Sequence, residues 1–241
     1  MMNEEICNNC WDKATCNEAD KEGYVDKDNP DFCMKNYKLN YLYTLAQIPV
    51  ALRKRIALKI DKTEEGKWDL EIFKQLNEIS LHTKEMVAEG KNVYIYSNGS
   101  GNGKTSWALR IVQNYFEEIW PDAVLECKAL FISVPRLLQA LKSSINSKTD
   151  LDYVNTIKAN ITTADIVIWD DIGSKDATVF EAENLYVLLE MRINTGKANI
   201  FTSNLNYNEL HEALGDRLSS RIYNGSETFE IRGKDKRGLG K

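Results

Sequence analysis

The residues best suited to chemistry fall in two short stretches. The first, VYIYSNGSGNGKTSWAL (93–109), runs from an apolar segment into Gly99, Gly101 and Gly103, followed at once by Lys104 and Thr105. Backbone N–H groups in such a loop can surround phosphate oxygens, and a helix starting at Lys104 adds further donors. This order assigns Asn98, Gly99, Ser100, Gly101, Asn102, Gly103, Lys104, Thr105 and Ser106 to a cradle for nucleotide phosphates. Lys104 would reach the β- and γ-phosphates and Thr105 would hold Mg²⁺. The usual pattern opens with a glycine at the position of Asn98, and asparagine tolerates the left-handed backbone that a glycine there would supply. A glycine-rich turn beside an exposed lysine is the bland alternative, and the apolar strand before the loop argues against it.

The second stretch, ADIVIWDDIG (164–173), ends a buried apolar run in Asp170 and Asp171. Open α/β sheets collect ligands at the carboxyl ends of their strands. Asp170 is assigned to Mg²⁺ and Asp171 to orienting or activating an attacking water. Two adjacent carboxylates repel each other less beside a cation. Farther on, NIFTSNLN (199–206) ends a third apolar run in Ser203 and Asn204. The Asn204 amide suits a γ-phosphate or its attacking water; a helix cap or turn is the alternative. LGDRLSSRIYNG (214–225) carries Arg217 and Arg221 four residues apart, on one helical face. An arginine fork lent by a neighbouring subunit raises nucleotide hydrolysis by roughly 10³–10⁵-fold. An ordinary surface ion pair is the competing reading, above all for Arg217.

These groups need a scaffold, and the pattern supplies one. Apolar runs at 92–97, 129–133, 165–169 and 198–203 read as strands, and 104–119, 135–141 and 180–194 as helices. A longer helix is expected over 68–89, with Leu70, Phe73, Leu76, Ile79 and Val87 as its apolar stripe and Gly90 at its end. Short buried strands alternating with helices imply an α/β domain with a mostly parallel sheet. Its expected extent is 68–241. Arg53, Lys54, Arg55 and Lys59 interleave with Val50, Leu52, Ile56 and Ile60, as in a basic linker helix over 51–67 or a merely solvated helix face.

Residues 1–50 form a third section, acidic at its start. Cys7, Cys10, Cys16 and Cys33 lie there. Four thiols so close together suit a closed tetrahedral Zn²⁺ site whose metal organises a polar segment. Buried free cysteines, or a redox pair at Cys7 and Cys10, are the alternatives. Cys127 stands alone and reads as a small buried hydrophobe. His82 and His211 read as ordinary polar histidines.

Composition removes several classes. With 241 residues, 43% hydrophobic and 28% charged, the chain is neither collagen-like nor wholly disordered. No apolar run approaches the 18 residues or so of a membrane span. The start, MMNEEICNNC, lacks a basic region and an apolar stretch, so a cytoplasmic protein with reduced thiols is expected. A net charge of −5 speaks against a uniformly basic surface but allows a local nucleic-acid contact.

Together, the four chemical segments in this order resemble the AAA+ ATPases, and among them the bacterial and phage helicase loaders of the DnaC/DnaI type, over about residues 68–237. NGSGNGKTSWA resembles the family's Walker A, IVIWDDIG its Walker B, and FTSNLN its sensor-1 strand, which places the sensor on Asn204. LGDRLSSRI resembles box VII, which carries the trans-acting arginine over to Arg221, with Arg217 on the earlier arginine of that motif. The resemblance implies a three-layer α/β/α P-loop core without a carboxy-terminal lid, slow ATP hydrolysis to ADP, and self-association through Arg221. It also implies a replicative DnaB-type helicase and single-stranded DNA as partners, with 1–50 as the zinc-bearing, helicase-contacting part. The basic residues at 53–59 and 232–237, with Lys142, Lys148 and Lys158, are compatible with DNA. The host bacterial cytoplasm would be the setting for a phage-encoded member. A transposition helper ATPase of the IstB type shares the same catalytic core, and a nucleotide-gated adaptor without turnover is the third reading.

Overall fold

A computed structural model describes residues 34–53, 58, 67–124, 126–144, 146–174 and 178–233. Five parallel strands form one sheet: β1 (Asn92–Tyr96), β2 (Ala129–Ser133), β3 (Ile166–Asp170), β4 (Ala198–Ser203) and β5 (Glu227–Glu230), in the spatial order β2-β3-β4-β1-β5. The four expected strands are all present, and β5 is an addition. Its sequence, ETFE, is too short and too polar to signal a strand, yet it pairs with β1 and buries Phe229.

The helices are α1 (Met34–Leu45), α2 (Lys67–Leu81), α3 (Thr83–Ala88), α4 (Lys104–Ile119), α5 (Val134–Ser143), α6 (Lys148–Asn160), α7 (Val179–Ile193), α8 (Tyr207–Leu214) and α9 (Asp216–Tyr223). The sheet's alternating side chains feed two apolar layers. Val93, Ile95, Ile168 and Ile200 pack with Leu39, Tyr43, Leu76, Trp107 and Ile111 from α1, α2 and α4. Tyr94, Val167, Trp169 and Phe201 face Leu137, Ile157, Leu188 and Leu218 on the other side. Because both faces are covered, the central strands read as unbroken apolar runs.

Three expectations need correction. The helix expected over 68–89 is two helices: the backbone leaves helical geometry at His82, and Thr83 then turns inward to donate its hydroxyl to Glu118 (2.8 Å). Of the expected stripe, Leu70 is exposed, whereas Leu76 is buried and Phe73, Ile79 and Val87 pack against the core, joined there by Met86. The division at residue 50 cuts through packed chain. Leu39, Leu42, Tyr43, Ala46 and Ile48 belong to the core, and the Ala46 carbonyl accepts the Phe131 N–H at the free edge of β2 (2.8 Å). Of the expected basic helix, Val50–Leu52 form a single 3₁₀ turn; Lys54, Arg55 and Lys59 lie outside the described residues. So do Cys7, Cys10, Cys16 and Cys33. No helix among the described residues is long and apolar enough to cross a membrane.

Candidate nucleotide site

Strand order builds the site. Because β4 lies between β1 and β3, the loop after β1, the aspartates at the end of β3 and the end of β4 meet at the carboxyl end of the sheet. The loop joins β1 to α4, whose first residue is Lys104. Gly103 stands before it with φ 105°, a conformation that strains any residue with a Cβ, so the turn into the helix requires glycine. The first N–H groups of a helix lack intrahelical partners, and this helix begins directly after the loop. Asn98 does not adopt left-handed geometry; within the loop Gly101 (φ 80°) and Gly103 do. The departure from the usual pattern therefore costs no strain at Asn98, which is exposed, as are Gly99 and Ser100.

Lys104 is buried, and its ammonium donates to Gly99 O (2.6 Å), Asn102 Oδ1 (3.1 Å) and Ser97 Oγ (3.4 Å). Ser97 is the hinge of this arrangement: its hydroxyl donates to Gly99 O (2.9 Å) and accepts from Gly99 N (3.1 Å) and from the Asn102 amide. The sequence offered no sign of that role, since a serine after a strand is commonplace. Ser106 follows Thr105 in the first turn, half-buried.

Asp170 Oδ1 accepts two hydroxyls, Thr105 Oγ1 at 2.8 Å and Thr202 Oγ1 at 2.7 Å. The register sets Trp169 beside Phe201, so the next residues, Asp170 and Thr202, meet where the strands end. Burial pushes the Asp170 carboxyl above the usual range; the Thr202 and Thr105 hydrogen bonds oppose that, Asp171 adds to it, and the Lys104 charge draws it back. A carboxylate with a hydroxyl one hydrogen bond away is a hard-oxygen pair of the kind Mg²⁺ prefers. The donor set thus fits a magnesium-bound nucleotide: Thr105 and Asp170 for the cation, Lys104 and the loop N–H groups for phosphate.

Asp171 takes a positive φ of 59°, uncommon for any residue but glycine and most tolerated by Asn and Asp. Its N–H donates to Thr202 Oγ1 (2.9 Å), and its carboxylate accepts the Asn204 amide (3.2 Å). Thr202 therefore ties both aspartates together. It is the second residue the sequence reading missed, because a threonine in a strand signals only β-propensity. Among the described residues, Asn204 Oδ1 is buried without a hydrogen-bond partner. A buried acceptor left open is costly, and it points to a role beyond capping.

The two arginines stand elsewhere. Arg217 on α9 is exposed and makes no hydrogen bond or ion pair among the described residues. Arg221, one turn on, pairs with Glu190 of α7 and lies over the Tyr186 ring at 5.4 Å. Neither forms a hydrogen bond or ion pair with Lys104, Thr105, Asp170 or Asp171 within the chain. Among the described residues no group of three or more His, Cys, Asp or Glu side chains is arranged to hold a metal. Cys127 is half-buried, and burial raises its thiol to about 11, in keeping with a packing role. His82 lies against Glu78 and His211 near Asp216, both at the surface.

Comparison with known proteins agrees with this geometry. A family described as "IstB-like ATP binding protein" matches residues 54–237. A curated relative, "Replicative helicase loader DnaC" of Buchnera aphidicola subsp. Baizongia pistaciae (strain Bp), is 25% identical over 137 residues, which are 56% of this chain and 52% of that protein. The chain thus spans about half the length of this curated relative. Among solved structures, the DnaI crystal structure superposes with a TM-score of 0.56 at 22% identity, covering 79% of this chain and 94% of that one. The DnaC helicase loader gives 0.52 at 20% identity, with 72% and 94% covered. "Replication initiator DnaA bound to AMPPCP and single-stranded DNA" gives 0.53 at 17% identity, with 71% and 48% covered. The fold is the AAA+ α/β fold that these proteins share.

Proposed function

The chain belongs to the IstB-like ATP-binding family, and from that premise we propose that it is an ATP-dependent loader of a replicative, DnaB-type helicase. One observation carries the reading: Thr105, Asp170 and Lys104, read from segments far apart in sequence, converge at one end of the sheet, with Thr105 and Asp170 2.8 Å apart. The similarity to a DnaC loader and to the DnaI and DnaC structures supports the choice of helicase over other clients.

Magnesium bound to ATP would neutralise phosphate charge and align the γ-phosphate for in-line displacement. The chain's own residues do the rest. Lys104 exchanges its contacts with Gly99 O and Asn102 Oδ1 for phosphate oxygens. Thr202 fixes the carboxylate of Asp170 and the backbone of Asp171. Asn204 orients the Asp171 carboxylate, which holds a water against the γ-phosphate. Completion of the site requires a second copy that lends Arg221, so hydrolysis is slow in the isolated chain and rises on assembly. Arg217 lies on the same helical face and contributes to that contact.

Residues 1–33, with a zinc ion on Cys7, Cys10, Cys16 and Cys33, are the helicase-contacting part of this proposal. Single-stranded DNA is the second partner, a reading supported by the fold shared with the DnaA–DNA complex. Several of the candidate cations are already engaged within the chain: Arg53 donates to Ile48 O (2.9 Å), Lys142 pairs with Glu181 (3.0 Å) and Arg232 with Glu230 (2.6 Å). Lys148 and Lys158 are then the better candidates for phosphate contacts. A transposition helper of the IstB type is the second reading, favoured by the family match itself.

The test is co-sedimentation of the full chain with a replicative helicase hexamer in ATP, ADP or no nucleotide. A complex that depends on ATP and is lost in K104A supports a loader. Absence of any helicase complex, together with ATP-dependent binding to a transposase, would favour the second reading.

A further inference from the structure

We propose that Glu190 is a latch on Arg221, holding it within its own subunit until a neighbour's nucleotide draws it away. The inference rests on the reading of Arg221 as a residue that acts across subunits. Tyr186 and Glu190 stand one turn apart on α7 and so present one face to α9. The Arg221 guanidinium lies over the Tyr186 ring (5.4 Å) and pairs with the Glu190 carboxylate. Arg217, on the same face of α9, has no such partner among the described residues. One arginine of the pair is therefore restrained and the other is not.

Charge decides what the restraint does. An arginine serves a phosphoryl transfer by placing uncompensated positive charge where negative charge develops. A carboxylate paired with the same guanidinium cancels most of that charge, so Arg221 cannot serve a neighbour while Glu190 holds it. The pair is also breakable. Its side chains are 39% and 30% exposed, and ion pairs at such sites shift an equilibrium by about fivefold at most. A triphosphate with its several oxygens outcompetes one carboxylate. The Tyr186 ring can stay beneath the guanidinium during the exchange, since its contact with the flat face leaves the N–H donors free. The latch thus weakens assembly when no nucleotide is bound opposite, and it yields when one is.

Glu190→Gln removes the charge and preserves the shape. The full chain is titrated in Mg·ATP, and the protein concentration giving half-maximal hydrolysis is measured for wild type, E190Q, R221A and E190Q/R221A. Wild type should need about two- to fivefold more protein than E190Q, while ATP affinity at high dilution is the same for both. E190A should give the same shift as E190Q. In the R221A background, where the rise with concentration is expected to be lost, the Glu190 substitution should leave the residual hydrolysis unchanged at every concentration, a coupling that a merely structural role of Glu190 would not produce. An E190Q curve that coincides with wild type or moves to higher concentration overturns the latch, as does a shift that persists in R221A. If R221A itself hydrolyses ATP as wild type does at every concentration, the trans reading fails and the latch fails with it. A normal R221A defect with no E190Q effect removes the latch alone.

Discussion

Strands β3 and β4 carry polar clusters at both of their ends, and the two clusters are built differently. At their amino-terminal side Arg192 of α7 is wholly buried, and all five of its N–H donors are used: Nε to Asn199 Oδ1 (3.3 Å), and the two terminal nitrogens to the carbonyls of Ile161, Ala164, Asp165 and Ala198. Asn199 in turn accepts Trp169 Nε1 (3.1 Å) and donates to Asn92 (2.8 Å). Burial lowers the guanidinium to about 10, so it remains charged at neutral pH. This network is closed. At the carboxyl end, Asp170 is held by two hydroxyls yet has its ionised form penalised by burial, Asp171 has a positive φ, and Asn204 keeps a buried oxygen unpaired. One end of the same strands is satisfied and serves the fold; the other is left partly unsatisfied, as the proposed nucleotide site requires.

The contrast is broken most severely at the closed end. R192A would orphan several buried carbonyls at once, at a cost on the order of 4 kcal/mol. At about 2–4 °C per kcal/mol for a domain of this size, calorimetry should show the melting temperature falling by roughly 8–16 °C. At the open end, K104A should leave melting nearly unchanged and weaken Mg·ATP binding by about 10–150-fold, the worth of a hydrogen bond to a charged group, measured by titration calorimetry. T202V removes the hydroxyl that joins the two aspartates. An affinity loss of about tenfold is expected, with T202S restoring it and T202V alone leaving the Asp171 N–H unpaired.

The smallest effect has the opposite sign. The folded-state pKa of Asp170 is raised, so its ionised form destabilises the nucleotide-free fold, and that cost grows as pH rises through the folded pKa. D170N should therefore melt higher than wild type near neutral pH. The gap should close as pH falls through the folded pKa of Asp170, where wild type takes up its proton. The same variant should lose the rise in melting temperature that Mg·ATP gives wild type. A D170N protein that melts lower without nucleotide would mean that the open end is structural after all.

The chemistry of the open end was largely written in local sequence. A loop that cradles phosphate needs small residues and a lysine in a fixed order, and a strand that ends in acids advertises its carboxyl end. Ser97 and Thr202 escaped because their hydroxyls act through partners brought together by strand order. Arg192 escaped for the same reason: a single arginine in an apolar helix signals nothing until the carbonyls of two other segments, 161–165 and Ala198, surround it. The packing of α1 was hidden by its composition, since MKNYKLNYLYTL carries its buried Leu39, Leu42 and Tyr43 among polar residues. The Glu190–Arg221 pair spans 31 positions, beyond the reach of any helical spacing.

The central claim is that Lys104, Thr105 and Asp170 act together on one magnesium-bound triphosphate. Titration calorimetry of the full chain with ATP, in Mg²⁺ and again with Mg²⁺ chelated by EDTA, tests it most directly. Saturable one-to-one binding that weakens at least about tenfold without the metal, and equally in D170N with the metal present, is the expected result. Binding indifferent to magnesium and to D170N would contradict the account.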